Sequence, residues 1–173
     1  MDEVLLESAS IYGPVIAIGD PRDPTPPLGA ARIFVPGEGN EWQHVVTSLL
    51  QACCVTVVCP STSAGVQWEL DLIRDAIDRL KIIFLANPTL SAADSVQLFR
   101  SIAPSVSFSE NERPVAAYVG KDNGFRVLTT RRPLCLQSFI VALNAALQEN
   151  LGAAPRNKIA FQRHRRRIRP RSA

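Results

Sequence analysis

The segment CVTVVCPSTSAGVQWELDLIRDAIDRL, residues 54–80, decides the fold. Its first six residues form a continuous, β-branched apolar run, which is typical of a parallel strand covered on both faces. Pro60 ends this run, and a polar loop follows it. Apolar residues then recur along one line of a helical wheel, namely Val66, Leu70, Ile73, Ile77 and Leu80. The segment therefore predicts a buried strand, a turn and an amphipathic helix.

Strand and helix patterns alternate through most of residues 14–103. Short apolar runs predict further strands at 15–18, 31–35 and 82–86, and helical spacing predicts helices at 1–11, 41–53 and 91–102. Parallel strands need crossover connections, which the intervening helices supply. This order predicts an α/β domain over residues 1–152, in which a mostly parallel sheet lies between helices in a three-layer arrangement.

The C-terminal part of this domain follows a different pattern. Apolar runs at 115–119 and 125–130 flank Asn123-Gly124, a pair that favours a tight hairpin turn. The hairpin is expected to add an antiparallel or edge element to the sheet. Pro133 suits the first turn of a last helix, and Gly152 suits its end.

The charge is divided between the domain and a tail. From Arg156 onward the chain has eight basic residues and no acidic one, so its net charge of +3 corresponds to −5 for residues 1–155. We expect residues 153–173 to be a disordered basic tail. The stretch Arg163–Arg171 suits an anionic membrane surface or a membrane-protein partner. Nucleic-acid phosphates fit it less well, and a solvated chain end also accounts for it.

Deleting residues 156–173 should abolish salt-sensitive binding to anionic lipid vesicles and leave the domain folded. Each basic residue near such a surface contributes on the order of 1 kcal/mol, and the deleted stretch carries little apolar surface. Vesicle sedimentation at low and high salt checks this expectation. Equal binding by the truncated and full chains would refute the membrane role, and preferential binding to nucleic acid would replace it.

Several classes of protein are disfavoured by what the sequence lacks. No apolar run approaches the roughly 18 residues of a membrane span, and the N-terminus does not resemble a signal peptide. The four cysteines are not spaced as a metal knuckle or a redox pair, so we expect reduced, buried thiols. A cytoplasmic location follows, with the basic tail placing the chain at the inner face of a membrane.

Glu69 is the residue that we single out for chemistry. Ligands of parallel sheets bind beyond the carboxyl ends of the strands, where the loops 19–27, 36–39 and 60–65 should converge. If Ser63 caps the helix, the Glu69 side chain tilts toward that end and lies beside the apolar stripe. A carboxylate there could hold a ribose diol or stabilise a developing sugar cation. A solvated helix acid is the simpler interpretation.

Five further residues are candidates for ligand binding. Gly19 and Asp20 end the first strand, where glycine allows close approach and aspartate binds hydroxyl groups. Arg32 could meet an anion, Ser61 lies at the predicted pocket mouth, and Trp68 could stack on a ligand or a partner. Surface charge explains Arg32 equally well, turn geometry explains Ser61, and packing explains Trp68.

Other sites lack support in the sequence. Neither GxGxxG nor GxxxxGK[ST] occurs, so the two common nucleotide-binding loops are missing. The two histidines, His44 and His164, lie in no metal-like cluster, and we expect no metal site. Serine hydrolysis has no GxSxG motif to support it.

The run from Val55 to Leu72, with Pro60-Ser61 and Gln67-Trp68-Glu69-Leu70, resembles the Toll/interleukin-receptor (TIR)-like family. The resemblance implies a flavodoxin-like α/β fold. Many TIR domains cleave NAD at the nicotinamide–ribose bond with a helix glutamate, and others only assemble signalling complexes. Carried over, the catalytic acid is Glu69, with pocket contacts from Gly19, Asp20 and Ser61 and with NAD as substrate, not as a cofactor.

A second, narrower resemblance covers about residues 1–90. Residues 12–19, 26–32 and 41–43 are similar to uncharacterised cytosolic domains of bacterial multi-pass membrane proteins. Two hypotheses therefore stand. One is a TIR-like nucleotide-binding or NAD-cleaving domain in signalling or defence, and the other is a non-enzymatic interaction module beside a membrane protein. Self-association fits both hypotheses, and a pocket containing Glu69 with polar neighbours would favour the first.

Overall fold

The computed structural model describes residues 2–19, 31–34, 41–61, 63–76 and 81–152. The elements in chain order are α1 (Asp2–Ala9), β1 (Ile16–Gly19), β2 (Ala31–Phe34), α2 (Glu41–Ala52), β3 (Thr56–Val58), α3 (Ala64–Ala76), β4 (Ile82–Leu85), α4 (Ala92–Ile102), β5 (Arg113–Val119), β6 (Phe125–Thr130) and α5 (Leu136–Leu151). This order confirms the α/β class. The basic tail lies outside the described residues.

The sheet differs from the predicted, mostly parallel one. A four-stranded sheet has the order β3-β4-β5-β6, in which only β3 and β4 are parallel. The two other ladders, β4 with β5 and β5 with β6, are antiparallel. Strands β1 and β2 form a separate parallel pair, and no ladder between described strands joins the two sheets.

The path of the chain after β4 explains the antiparallel β5. Residues 86–112, which include helix α4, bring the chain back to the end of β4 before β5 starts, since the Ala86 N–H donates to the Val115 carbonyl at 2.8 Å. The hairpin signal predicted the pairing of β5 with β6, but no local signal sets the direction of β5 relative to β4.

Helices pack against the four-stranded sheet. Helix α5 packs on β4 and β5, and α1 packs against α5. Helices α3 and α4 border a cavity of about 420 Å³, in which Leu70 and Leu98 of these helices and Ile82, Phe84 and Val119 of the sheet form part of the wall. The core includes the fully buried Ile83, Leu85, Ala116, Ala117, Leu143, Ala146 and Leu147.

A cluster of polar side chains connects the β5–β6 hairpin to α5. The Tyr118 hydroxyl donates to Glu149 Oε2 at 2.8 Å, and Arg126 Nε lies 2.9 Å from Glu149 Oε1. Burial and this hydrogen bond raise the pKa of Tyr118 to about 12. Gly120 lies beside the cluster, where a Cβ atom would lie 2.6 Å from Arg126 Nε and would displace that side chain.

The helix starts follow from their caps. The Asp94 N–H donates to Ser91 Oγ at 3.1 Å, which confirms the predicted start of α4. The last helix begins at Leu136, after the N-cap Cys135, so Pro133 precedes it rather than lying in its first turn. Among the described helices, none is both long and apolar enough to cross a membrane.

Candidate functional site

A mostly apolar cavity of about 610 Å³ lies between β1 and β3, and we call it the β1–β3 slot. Its walls come from α1 and residues 12–17, from α2, from residues 52–59 around β3, and from α3 and α5. The volume is within the roughly 300–1,000 Å³ typical of small-molecule sites.

The missing ladder between the two sheets explains why the slot exists. Strand β1 pairs only with β2 and β3 pairs only with β4 among the described strands, and residues of both β1 and β3 line the slot. The slot therefore occupies the place where a β1–β3 ladder would close a single sheet. It extends along β3 to residues 53–55, which precede that strand, whereas the sequence placed the pocket only at the carboxyl ends.

The N-terminus of α3 is built as predicted. Ser63 Oγ accepts a hydrogen bond from the Val66 N–H at 3.4 Å, and the Ser63 carbonyl accepts from the Gln67 N–H at 3.0 Å. Ser63 thereby acts as the N-cap and starts the helix in the register that the apolar stripe requires.

Glu69 lies on the wall of the slot and is half-buried. It is the only acidic residue among the described residues that line this cavity. Burial raises the pKa of its carboxyl group above the ordinary value of 4.5, because the charged form loses water. A carboxylate in such surroundings interacts with a nearby positive charge more strongly than one in water.

Ser61 does not line the slot. Its hydroxyl lies 3.0 Å from that of Ser63, and its carbonyl accepts a hydrogen bond from Gln67 Nε2 at 2.8 Å. Both contacts fix the loop before α3. The structure therefore gives Ser61 a turn role and does not bring it to the cavity wall beside Glu69.

Trp68 packs against Trp42 of α2. The two ring centroids are 4.9 Å apart with their planes at 70°, an edge-to-face arrangement. Gly65 leaves room for Trp42, whose ring would lie 4.0 Å from a Cβ atom at that position. Trp68 thus joins α2 to α3, and packing explains it without a ligand.

The remaining predicted contacts are described only in part. In β1 and β2, Gly19 is paired with Phe34 and Arg32 with Ala17, which places Gly19 at the carboxyl end of its strand. Asp20 lies outside the described residues, as do residues 20–27 and 36–39 of the predicted loops. Of the three loops expected to converge, only that at 60–65 is largely described.

Sequence reasoning missed the cysteines of the slot. Cys53, Cys54 and Cys59 line the cavity, and Cys54 is exposed, as is Cys135 outside it. The expectation of four buried thiols was therefore wrong: Cys54 and Cys135 are exposed, and Cys53 and Cys59 are only half-buried. The useful signal was the position of Cys53 and Cys54 at the start of the predicted strand that begins the segment 54–80.

In the described part of the chain, no three His, Cys, Asp or Glu side chains are grouped to hold a metal ion. His44 is exposed on α2. Comparison with known proteins found no matching family model, no matching curated protein and no matching solved structure.

Proposed function

We propose that the chain is a TIR-like domain with a three-layer, flavodoxin-like arrangement, which binds NAD and cleaves its nicotinamide–ribose bond. The observation that carries the proposal is the half-buried Glu69 carboxylate on the wall of the β1–β3 slot. The apolar walls suit a flat nicotinamide ring.

The proposed reaction uses the carboxylate electrostatically. The bond between the ribose C1′ and the nicotinamide nitrogen breaks, and its electron pair moves to that nitrogen, so neutral nicotinamide leaves. Positive charge then develops on the sugar, where the Glu69 carboxylate stabilises it. Water attacks C1′ and loses a proton, which gives ADP-ribose. Glu69 must be ionised throughout.

The pH profile of nicotinamide release tests this proposal. Because burial raises the pKa of Glu69, kcat/KM should fall on acidification at a pH above 4.5, as the carboxylate takes up a proton. The assay measures nicotinamide at several protein concentrations, so that self-association is included. Absence of release under all these conditions would refute cleavage, and a rate that stays constant down to pH 4.5 would refute the role of ionised Glu69.

The interaction module is the second candidate, and one observation favours it. Ile16 and Leu151 are 44% and 37% exposed, and both line the slot. Exposed apolar side chains at the rim of a cavity are typical of a surface that a partner covers. A membrane-protein partner docking there would leave NAD uncleaved.

A further inference from the structure

The end of the β1–β3 slot where β3 begins contains two adjacent thiols. Cys53 and Cys54 both line the slot, and Cys54 is exposed to solvent. None of the four cysteines is in a disulfide. A thiol that is open to solvent and borders an apolar cavity can react with a dissolved donor and then place the attached group inside the cavity.

The residues that line the slot indicate which kind of group, attached to the thiol, the slot could hold. Leu5, Leu49, Leu147 and Leu151 are among its apolar contributors, and Leu151 is 37% exposed. An apolar occupant would cover this surface, with each buried methylene strengthening binding by up to about fourfold. A long hydrocarbon chain meets this requirement.

The described wall of the slot offers no positive charge to the head group of a free fatty acid. No Lys, Arg or His occurs among the described residues lining the slot, so no cation there can pair with a carboxylate head group. The Glu69 carboxylate would repel one. A thioester is neutral, and attachment through sulfur removes the need for a head-group site.

We propose that the Cys53–Cys54 pair is an S-acylation site, and that the β1–β3 slot holds the acyl chain. In the reaction, the Cys54 thiolate attacks the carbonyl carbon of a long-chain acyl-coenzyme A. The bond from that carbon to Cys54 sulfur forms, the bond to the coenzyme A sulfur breaks, and coenzyme A leaves as a thiolate that takes up the proton Cys54 has lost. The inference rests on the slot and not on NAD cleavage, although an acyl chain there would compete with a nucleotide.

Cys135 provides a matched control for intrinsic reactivity. It is exposed and lies at the N-cap of α5, outside the described wall of the slot. Hydrogen bonds from Ser138 lower the pKa of its thiol, so more thiolate is present there. If acylation followed reactivity alone, Cys135 would be the preferred target.

The experiment incubates the full chain with palmitoyl-coenzyme A below its micelle concentration, and in parallel with acetyl-coenzyme A. Intact mass and peptide mapping locate the acyl group, and neutral hydroxylamine should remove it as a thioester. The same measurements are made on the Cys53→Ser/Cys54→Ser double variant and on Cys135→Ser. Peptide mapping of the wild-type chain locates the acyl group without the use of any variant. Thermal unfolding checks that the variants fold.

Palmitoyl transfer should favour the 53–54 peptide over Cys135 by on the order of tenfold or more, because the long chain gains the slot. The double variant should lose this labelling and Cys135→Ser should keep it. Acetyl transfer should not favour the 53–54 peptide over Cys135. The proposal is overturned by palmitoylation mainly at Cys135, by no palmitoylation at all, by equal labelling of the folded double variant, or by the same site preference with both donors. Nicotinamide release is a separate readout, so either proposal can fail alone.

Discussion

Replacing Phe99 with alanine is expected to lower the free energy of unfolding by about 3–5 kcal/mol, the cost of a cavity left by a fully buried ring. Phe99 is 1% exposed and belongs to the main core, on the helix that packs against β5. Such a loss is a large part of the roughly 5–15 kcal/mol that stabilises a domain. Urea unfolding of the wild type and the variant measures it.

Gln97→Ala on the same helix is the control, since Gln97 is exposed and its replacement should change the free energy by no more than about 0.5 kcal/mol. The thermal midpoint of the Phe99 variant should fall by on the order of 10 °C. A loss below about 1 kcal/mol would contradict the packing of α4 against β5.

Glu69→Gln is expected to lower nicotinamide release by about 10²-fold or more. The substitution keeps the shape of the side chain but removes the charge that stabilises the sugar cation, and deletion of one such electrostatic contact has an effect of this size. Initial rates with NAD, at equal concentrations of folded protein, measure the loss in kcat/KM.

Asp71→Asn is the matched control for charge. Asp71 is on the same helix, is exposed and pairs with Arg74 at 2.7 Å, so its replacement should leave the rate unchanged. Equal rates for Glu69→Gln and the wild type would show that another residue acts.

The free energy of unfolding shows whether Glu69→Gln loses activity through a change in catalysis or through a loss of folded protein. Burial raises the pKa of Glu69, so the stability contributed by its neutral form is present below the ordinary pKa of 4.5 and is lost as pH rises through the folded-state pKa. Glutamine does not ionise. Unfolding of Glu69→Gln at pH 7 should therefore require at least as much free energy as that of the wild type.

Local signals predicted the elements well, as the hairpin illustrates. Asn123 has a positive φ of 61°, and the Gly120 N–H donates to the Gly124 carbonyl at 2.9 Å, so the turn depends on residues 120–124 between the two strands. The start of α4 likewise depends on Ser91 and Asp94, three residues apart. Each of these features is determined by residues only a few positions apart, so the local sequence is enough to predict it.

Features that depend on residues far apart in the sequence could not be predicted from local patterns. Tyr118 and Glu149 are 31 positions apart, and no pattern links them. The slot is harder still to predict from the sequence. Val57 and Val58 line a cavity, although their β-branched apolar pattern is the same as that of a strand in a filled core. The sequence identified Glu69 as lying beside the apolar stripe, but it could not show that β1 and β3 stay apart.

The most direct test of the central claim, that the β1–β3 slot binds the ligand, is hydrogen–deuterium exchange of Glu69→Gln with and without NAD. This variant should leave NAD intact during the measurement. Because β1 and β3 each pair on one side only among the described strands, a ligand between them should slow exchange in peptides covering residues 13–19 and 54–60. The hairpin at 113–130 should be unaffected. Protection confined to the hairpin, or none at saturating NAD, would contradict the account.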